Sequence, residues 1–149
     1  MNFKRNRGKM FSSKNRGFME QRIINPWRWQ DQFAFAQAYE VSGGERVLYC
    51  AGQTSVDAEG RPAHVGDMRA EVNQALDNLQ TVLVQAGFAL SNVARLNYYT
   101  TNIDQLLGNW DAIVSRLTQA GCRPSSTLLG VSRLAFPELL IEIEATAVK

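Results

Sequence analysis

Histidine is nearly absent from this sequence and cysteine is scarce, with one His and two Cys in 149 residues. A Cys/His zinc cluster of ordinary composition cannot be assembled from that set. The lone His64 sits in a polar loop and reads as solvated, yet a Ser-His-Asp or Cys-His mechanism would have to rest on it alone. No apolar run approaches the roughly 20 residues that span a bilayer, and no apolar stretch follows the basic N-terminus as a secretory signal requires. A P-loop, a Gly-rich dinucleotide turn, a G-x-S-x-G elbow and metal-ligand spacing are all missing, so neither a metal nor a cofactor is expected. These absences, with 45% apolar and 20% charged residues, describe a soluble cytoplasmic domain with Cys50 and Cys122 reduced in its core.

What is present is unevenly distributed. Residues 1–22 hold seven of the sixteen basic residues and one of the fourteen acidic ones, leaving nine bases against thirteen acids, a net of −4, over residues 23–149. The first segment reads as a basic, disordered extension, and residues 23–149 as one domain. A basic arm suits phosphate contacts, but the acidic remainder gives nucleic-acid binding no support. Neither a membrane nor a nucleic acid is an expected partner.

Local patterning gives the elements. Residues 33–41 and 46–51, separated by Ser42-Gly43-Gly44-Glu45, predict a hairpin. Met68, Val72, Ala75, Leu76, Leu79, Val82, Leu83 and Ala86 recur at helical spacing, with Asp67 as N-cap and Gly87 as terminator. Val93 to Thr101 predicts a strand, Leu106 to Leu117 a second amphipathic helix, and residues 126–134 and 139–148 two further strands. Two helices with apolar stripes need a mixed sheet to cover, which makes the fold class α+β with both helices on one sheet face. On the last strand Ile141, Ile143, Ala145 and Ala147 point one way, and Glu142, Glu144, Thr146 and Val148 the other. The uncovered face and the sheet edges predict association with further copies of the chain.

Few constellations carry chemistry. Glu142 and Glu144 share a strand face with Cβ atoms about 7 Å apart. Desolvated by a neighbour, either carboxylate could act as a general acid or base; left in solvent, or paired with an arginine, neither would. Gly52 suits either close approach of a ligand to the backbone or a β-bulge. The hydroxyl run Ser125-Ser126-Thr127 reads as turn chemistry.

The segments Cys50-Ala51-Gly52-Gln53-Thr54, Gln74-Ala75-Leu76-Asp77-Asn78-Leu79, Val131-Ser132-Arg133-Leu134 and Ile141 to Val148, taken in order, resemble the Rid family, also called the YjgF or endoribonuclease L-PSP family. The resemblance spans about residues 33–149. It implies a chorismate-mutase-like fold, a homotrimer with ligand clefts between subunits, and cofactor-independent hydrolysis of enamines or imines to keto acids. It assigns Gly52 an N–H toward the ligand and Glu142 the attacking water. The family's carboxylate-binding arginine has no counterpart, because Ser126 stands at its position and Phe35 at that of a frequent tyrosine. Arg123 lies three residues upstream, about 10 Å of extended chain, and a hydroxyl cannot supply a bidentate charged pair. The expected site is therefore Phe35, Gly52, Ser126 and Glu142, with Asn109 or Trp110 as a wall and a small, less acidic or partly aromatic metabolite as ligand. Hydrolysis or tautomerisation assisted by Glu142 is the expected chemistry. A non-catalytic ligand sensor is the alternative, and RNA cleavage a more distant third.

Overall fold

A computed structural model describes residues 18–149. Its strands and helices are β1 (Glu20–Ile24), β2 (Ala38–Ser42), β3 (Val47–Thr54), α1 (Met68–Gln85), β4 (Val93–Thr100), α2 (Ile103–Leu107), α3 (Trp110–Gln119), β5 (Ser125–Gly130) and β6 (Ile141–Val148). Four strands form a mixed sheet in the order β3-β6-β4-β5, with β4 and β5 parallel and the other pairs antiparallel; β1 and β2 form a separate antiparallel pair.

Helix α1 forms where periodicity places it. Asp67 accepts the amide N–H of Ala70 at 3.0 Å, satisfying one of the free donors of the first turn of α1. Gly87, at φ 76°, ends the helix with a left-handed turn in which Phe88 N–H reaches Leu83 O at 2.8 Å. Val72, Ala75, Leu76, Leu79 and Leu83 are buried against the sheet, and each buried Leu contributes roughly 1.5–3 kcal/mol of burial free energy. Ile113 and Leu117 of α3 complete this layer over Leu96, Ile141, Ile143, Ala145 and Ala147. Cys50 and Cys122 are free and buried in it, and burial pushes the Cys122 thiol up to about 12. Among the described residues no helix is long and apolar enough to cross a membrane.

One buried carboxylate sets where β6 begins. Glu71, fully buried on α1, accepts the Gly66 N–H at 2.9 Å and the Leu140 N–H at 2.7 Å. Burial pushes its carboxyl above the usual glutamate value, while these backbone donors pull the other way. The strand that carries Glu142 is thus anchored to α1 one residue before it starts.

Four expectations change. The hairpin between residues 33–41 and 46–51 does not form: β2 pairs with β1, and β3 with β6. Past Gly43, at φ 71°, the N–H groups of Glu45 and Arg46 donate to Lys149 O at 3.0 and 2.8 Å, which commits the chain to the C-terminal strand. Glu20, Gln21 and Arg22, expected within the extension, belong to β1, where Arg22 forms an ion pair with Glu40 across the pair of strands. Residues 1–17 of that extension lie outside the described residues. The second helix is two, broken at Gly108 and Asn109, and β5 stops at Gly130, where Val131 N–H turns to Thr100 O at 2.8 Å.

Candidate functional site

Strand β6 alternates buried and half-buried residues along its whole length. Cross-strand partners point to the same side of a sheet, so register assigns every candidate to a face. Tyr99 pairs with Glu142 and Asn97 with Glu144, while Thr127 lies beside Asn97, which places Arg95, Asn97, Tyr99, Thr127, Glu142 and Glu144 together on the face away from the helices.

On that face Glu142 meets Gly52. The register between β3 and β6 slips between Cys50 and Gln53, whose partners are Ala145 and Ile143, so Ala51 and Gly52 together oppose Glu144 in a bulge. A Cβ placed on Gly52 would lie 2.6 Å from Cδ of Glu142. A side chain at position 52 would push the carboxylate out of this place. Beside this pair, Oε1 of Glu144 accepts from the Tyr99 hydroxyl and from Asn97 Nδ2, both at 2.7 Å. The Tyr99 bond, then that of Asn97, holds the Glu144 carboxyl below the usual carboxylate value. The same bond raises the Tyr99 phenol. Arg95 donates to Thr127 Oγ1 at 2.7 Å. Asn97 and Tyr99 carry no signal in sequence beyond the polar positions of an alternating strand.

The other candidates gather elsewhere. Leu96 aligns with Ser126 and Tyr98 with Leu128, so Ser126 faces the helix side of the sheet, opposite to Glu142. It opens into a cavity of about 270 Å³ lined by Trp29, Phe33, Phe35, Leu107, Trp110, Ser126 and Leu128. Trp110 is fixed by a 3.2 Å hydrogen bond from Nε1 to Phe33 O and by an edge-to-face contact with Tyr98 at 5.1 Å between centroids. Trp29 packs edge-on against Phe35 at 5.7 Å. Asn109 turns away from this wall: its amide donates to Gln105 O at 2.9 Å and closes the break between α2 and α3.

Arg123 is engaged away from Ser126. Its Nε donates to Phe35 O at 3.3 Å and its terminal nitrogen forms an ion pair with Asp31, tying the aromatic turn to the start of β5. His64 is exposed and adopts φ 58° in its loop. Among the described residues no cluster of three His, Cys, Asp or Glu side chains could hold a metal ion. The expected single site is thus split within one chain, with Gly52 and Glu142 on one sheet face and Phe35, Trp110 and Ser126 on the other.

Comparison with known proteins covers nearly the whole described domain. The model of the family described as Endoribonuclease L-PSP matches residues 31–149. A RutC family protein of Pyrococcus horikoshii is 28% identical over 102 residues, covering 68% of this chain and 79% of the relative. The crystal structure of the Rid family protein YyfB of Yersinia pestis superposes with a TM-score of 0.77 at 37% identity, covering 87% of this chain and 98% of that one. TdcF of Escherichia coli, solved with bound serine, gives a TM-score of 0.64 at 20% identity over 77% of this chain and 87% of its own, a likeness of fold.

Proposed function

The chain belongs to the endoribonuclease L-PSP family, the Rid or YjgF family by its other names, and from that premise we propose that it is a homotrimeric, cofactor-independent hydrolase of small enamines or imines that works in clefts between subunits. The observation that carries this reading is the seat of Glu142: a carboxylate lying beside Gly52 at a bulge, on the sheet face opposite the described helices. A neighbouring copy laid on that face would desolvate the carboxylate and could bring its own aromatic cavity to the same cleft. The split of the candidates between two faces favours such a shared site, since residues on opposite sides of one sheet converge only across copies. Reduced Cys50 and Cys122 suit the cytoplasm.

In the proposed reaction Glu142 takes a proton from water as its oxygen adds to the C=N carbon. Glu142 returns that proton to the nitrogen of the resulting carbinolamine, whose C–N bond breaks as its hydroxyl loses a proton to solvent, giving the carbonyl compound and ammonia with the carboxylate regenerated. The test is ammonia release from imines generated in solution, read beside the mass of the protein by light scattering. Glu142→Gln is expected to lower the rate by about 10²–10⁴-fold, the usual worth of a general acid–base group. An unchanged rate, or a monomer that turns over normally, overturns the reading.

A second reading has an observation of its own. Arg123 is engaged by Asp31, and Ser126 offers no charge to a substrate carboxylate, as suits a protein that binds a metabolite without converting it. Saturable binding without turnover, indifferent to Glu142→Gln, would select that alternative. RNA cleavage, which the family's description names, has the −4 charge of residues 23–149 against it.

A further inference from the structure

We propose that the cavity beside β5 selects an uncharged aromatic ring and rejects carboxylates; this names the ligand class of the site proposed above and rests on that reading. Trp29, Phe35, Trp110 and Leu128 supply walls with no charge. The indole N–H of Trp110 is already engaged by Phe33 O, and Ser126 Oγ has no protein partner among the described residues. One hydroxyl amid aromatic walls can orient a neutral group through a hydrogen bond, but it leaves an anion without compensating charge.

The guanidinium that could have compensated is held elsewhere. Arg123 spans Asp31 and the carbonyl of Phe35, so its charge is neutralised behind the aromatic turn and serves to position Phe35. At about 270 Å³ the cavity falls just below the roughly 300–1,000 Å³ of ordinary ligand sites, which suits one ring with a short substituent. Trp29, 57% exposed and braced edge-on by Phe35, presents ring surface at the mouth. Aromatic walls set at such angles favour a flat ring that takes edge and face contacts together.

Titration calorimetry with benzamide and benzoate, near-isosteres that differ in charge, tests the proposal on the full chain. Benzamide is expected to bind at least about tenfold more tightly than benzoate, and Trp29→Ala to weaken benzamide by about tenfold, the worth of one aromatic contact of roughly 1.4 kcal/mol. Ser126→Arg should reverse the preference toward benzoate, a gain that a folding defect cannot produce. Equal or tighter binding of benzoate to the wild type, no binding of either probe at millimolar concentration, or insensitivity to Trp29→Ala overturns the proposal. So does benzamide affinity that falls as protein concentration rises, the sign of a second copy filling the cavity. Turnover separates this from the parent reading. Glu142-dependent hydrolysis that prefers carboxylated imines sinks the ring preference alone; benzamide selectivity without any imine turnover sinks the hydrolase alone.

Discussion

On β6, Ile141, Ile143, Ala145 and Ala147 face the helices and are buried, while Glu142, Glu144, Thr146 and Val148 alternate with them toward the open face and stay half-buried. One strand thus serves two environments. Toward the helices, close packing decides what is tolerated, because a deleted methylene leaves a void that rigid neighbours cannot fill. Toward the open face, partners decide: Glu142 depends on the missing side chain of Gly52, and Glu144 on the donors of Tyr99 and Asn97. The difference separates residues that pack the core from residues that answer to polar partners, one position apart on the same backbone.

The sharpest way to break that division is to exchange volumes across it. Ile143→Ala should cost about 2–5 kcal/mol in denaturant unfolding, whereas Thr146→Ala on the opposite face should stay within about 1 kcal/mol. Similar losses at both positions would mean that the open face is packed as tightly as the core. Next in size is Gly52→Ala. Its Cβ would press on the Glu142 carboxylate, an overpacking worth about 1–3 kcal/mol. The same change should cost markedly less in a Glu142→Ala background; a double-mutant cycle that closes additively would show that the two do not touch. Glu71→Gln follows, since one backbone N–H at Gly66 or Leu140 would then meet an amide NH₂. A loss of about 1–3 kcal/mol is expected, together with faster hydrogen exchange at Leu140 than at Leu83.

Much of this division is legible in sequence because a period of two needs no partner to be read: the faces of β6 follow from Ile141-Glu142-Ile143-Glu144 alone. Helix α1 is legible for a similar reason, its cap, stripe and terminator all being local. Pairing is not local. Ser42-Gly43-Gly44 looks like a hairpin turn, yet β3 takes its hydrogen bonds from a strand about ninety residues on. The apolar stripe from Leu106 to Leu117 reads as continuous, and only Gly108-Asn109 hints at the break. The site suffers from the same limit. Gly52 and Glu142 come forward through resemblance alone, and their closeness across the bulge is a matter of pairing. That Ser126 faces away from Glu142 depends on its alignment with Leu96, a register no single strand encodes. Nor could Arg123 be seen to be occupied before Asp31 was placed beside it.

The smallest expected effect falls on the Tyr99–Glu144 pair. Tyr99→Phe removes the hydroxyl that donates to Glu144 and leaves the ring in place, so packing is unchanged and only one hydrogen bond in reach of water is lost, at about 0.5 kcal/mol. Its signature lies in pH. Glu144 has a folded pKa below its ordinary value, chiefly because of this bond, so the ionised carboxylate stabilises the fold above the ordinary glutamate range. That contribution is lost as pH falls through the folded value, where the carboxylate takes up a proton. The stability gap between wild type and Tyr99→Phe should therefore be widest near neutral pH and close as the solution is acidified through the carboxylate range. Glu142 is not bonded by that hydroxyl, so the proposed imine turnover should change less than twofold. A gap that persists unchanged at acid pH would assign the effect to packing, and would make the open face more like the covered one than its partners suggest.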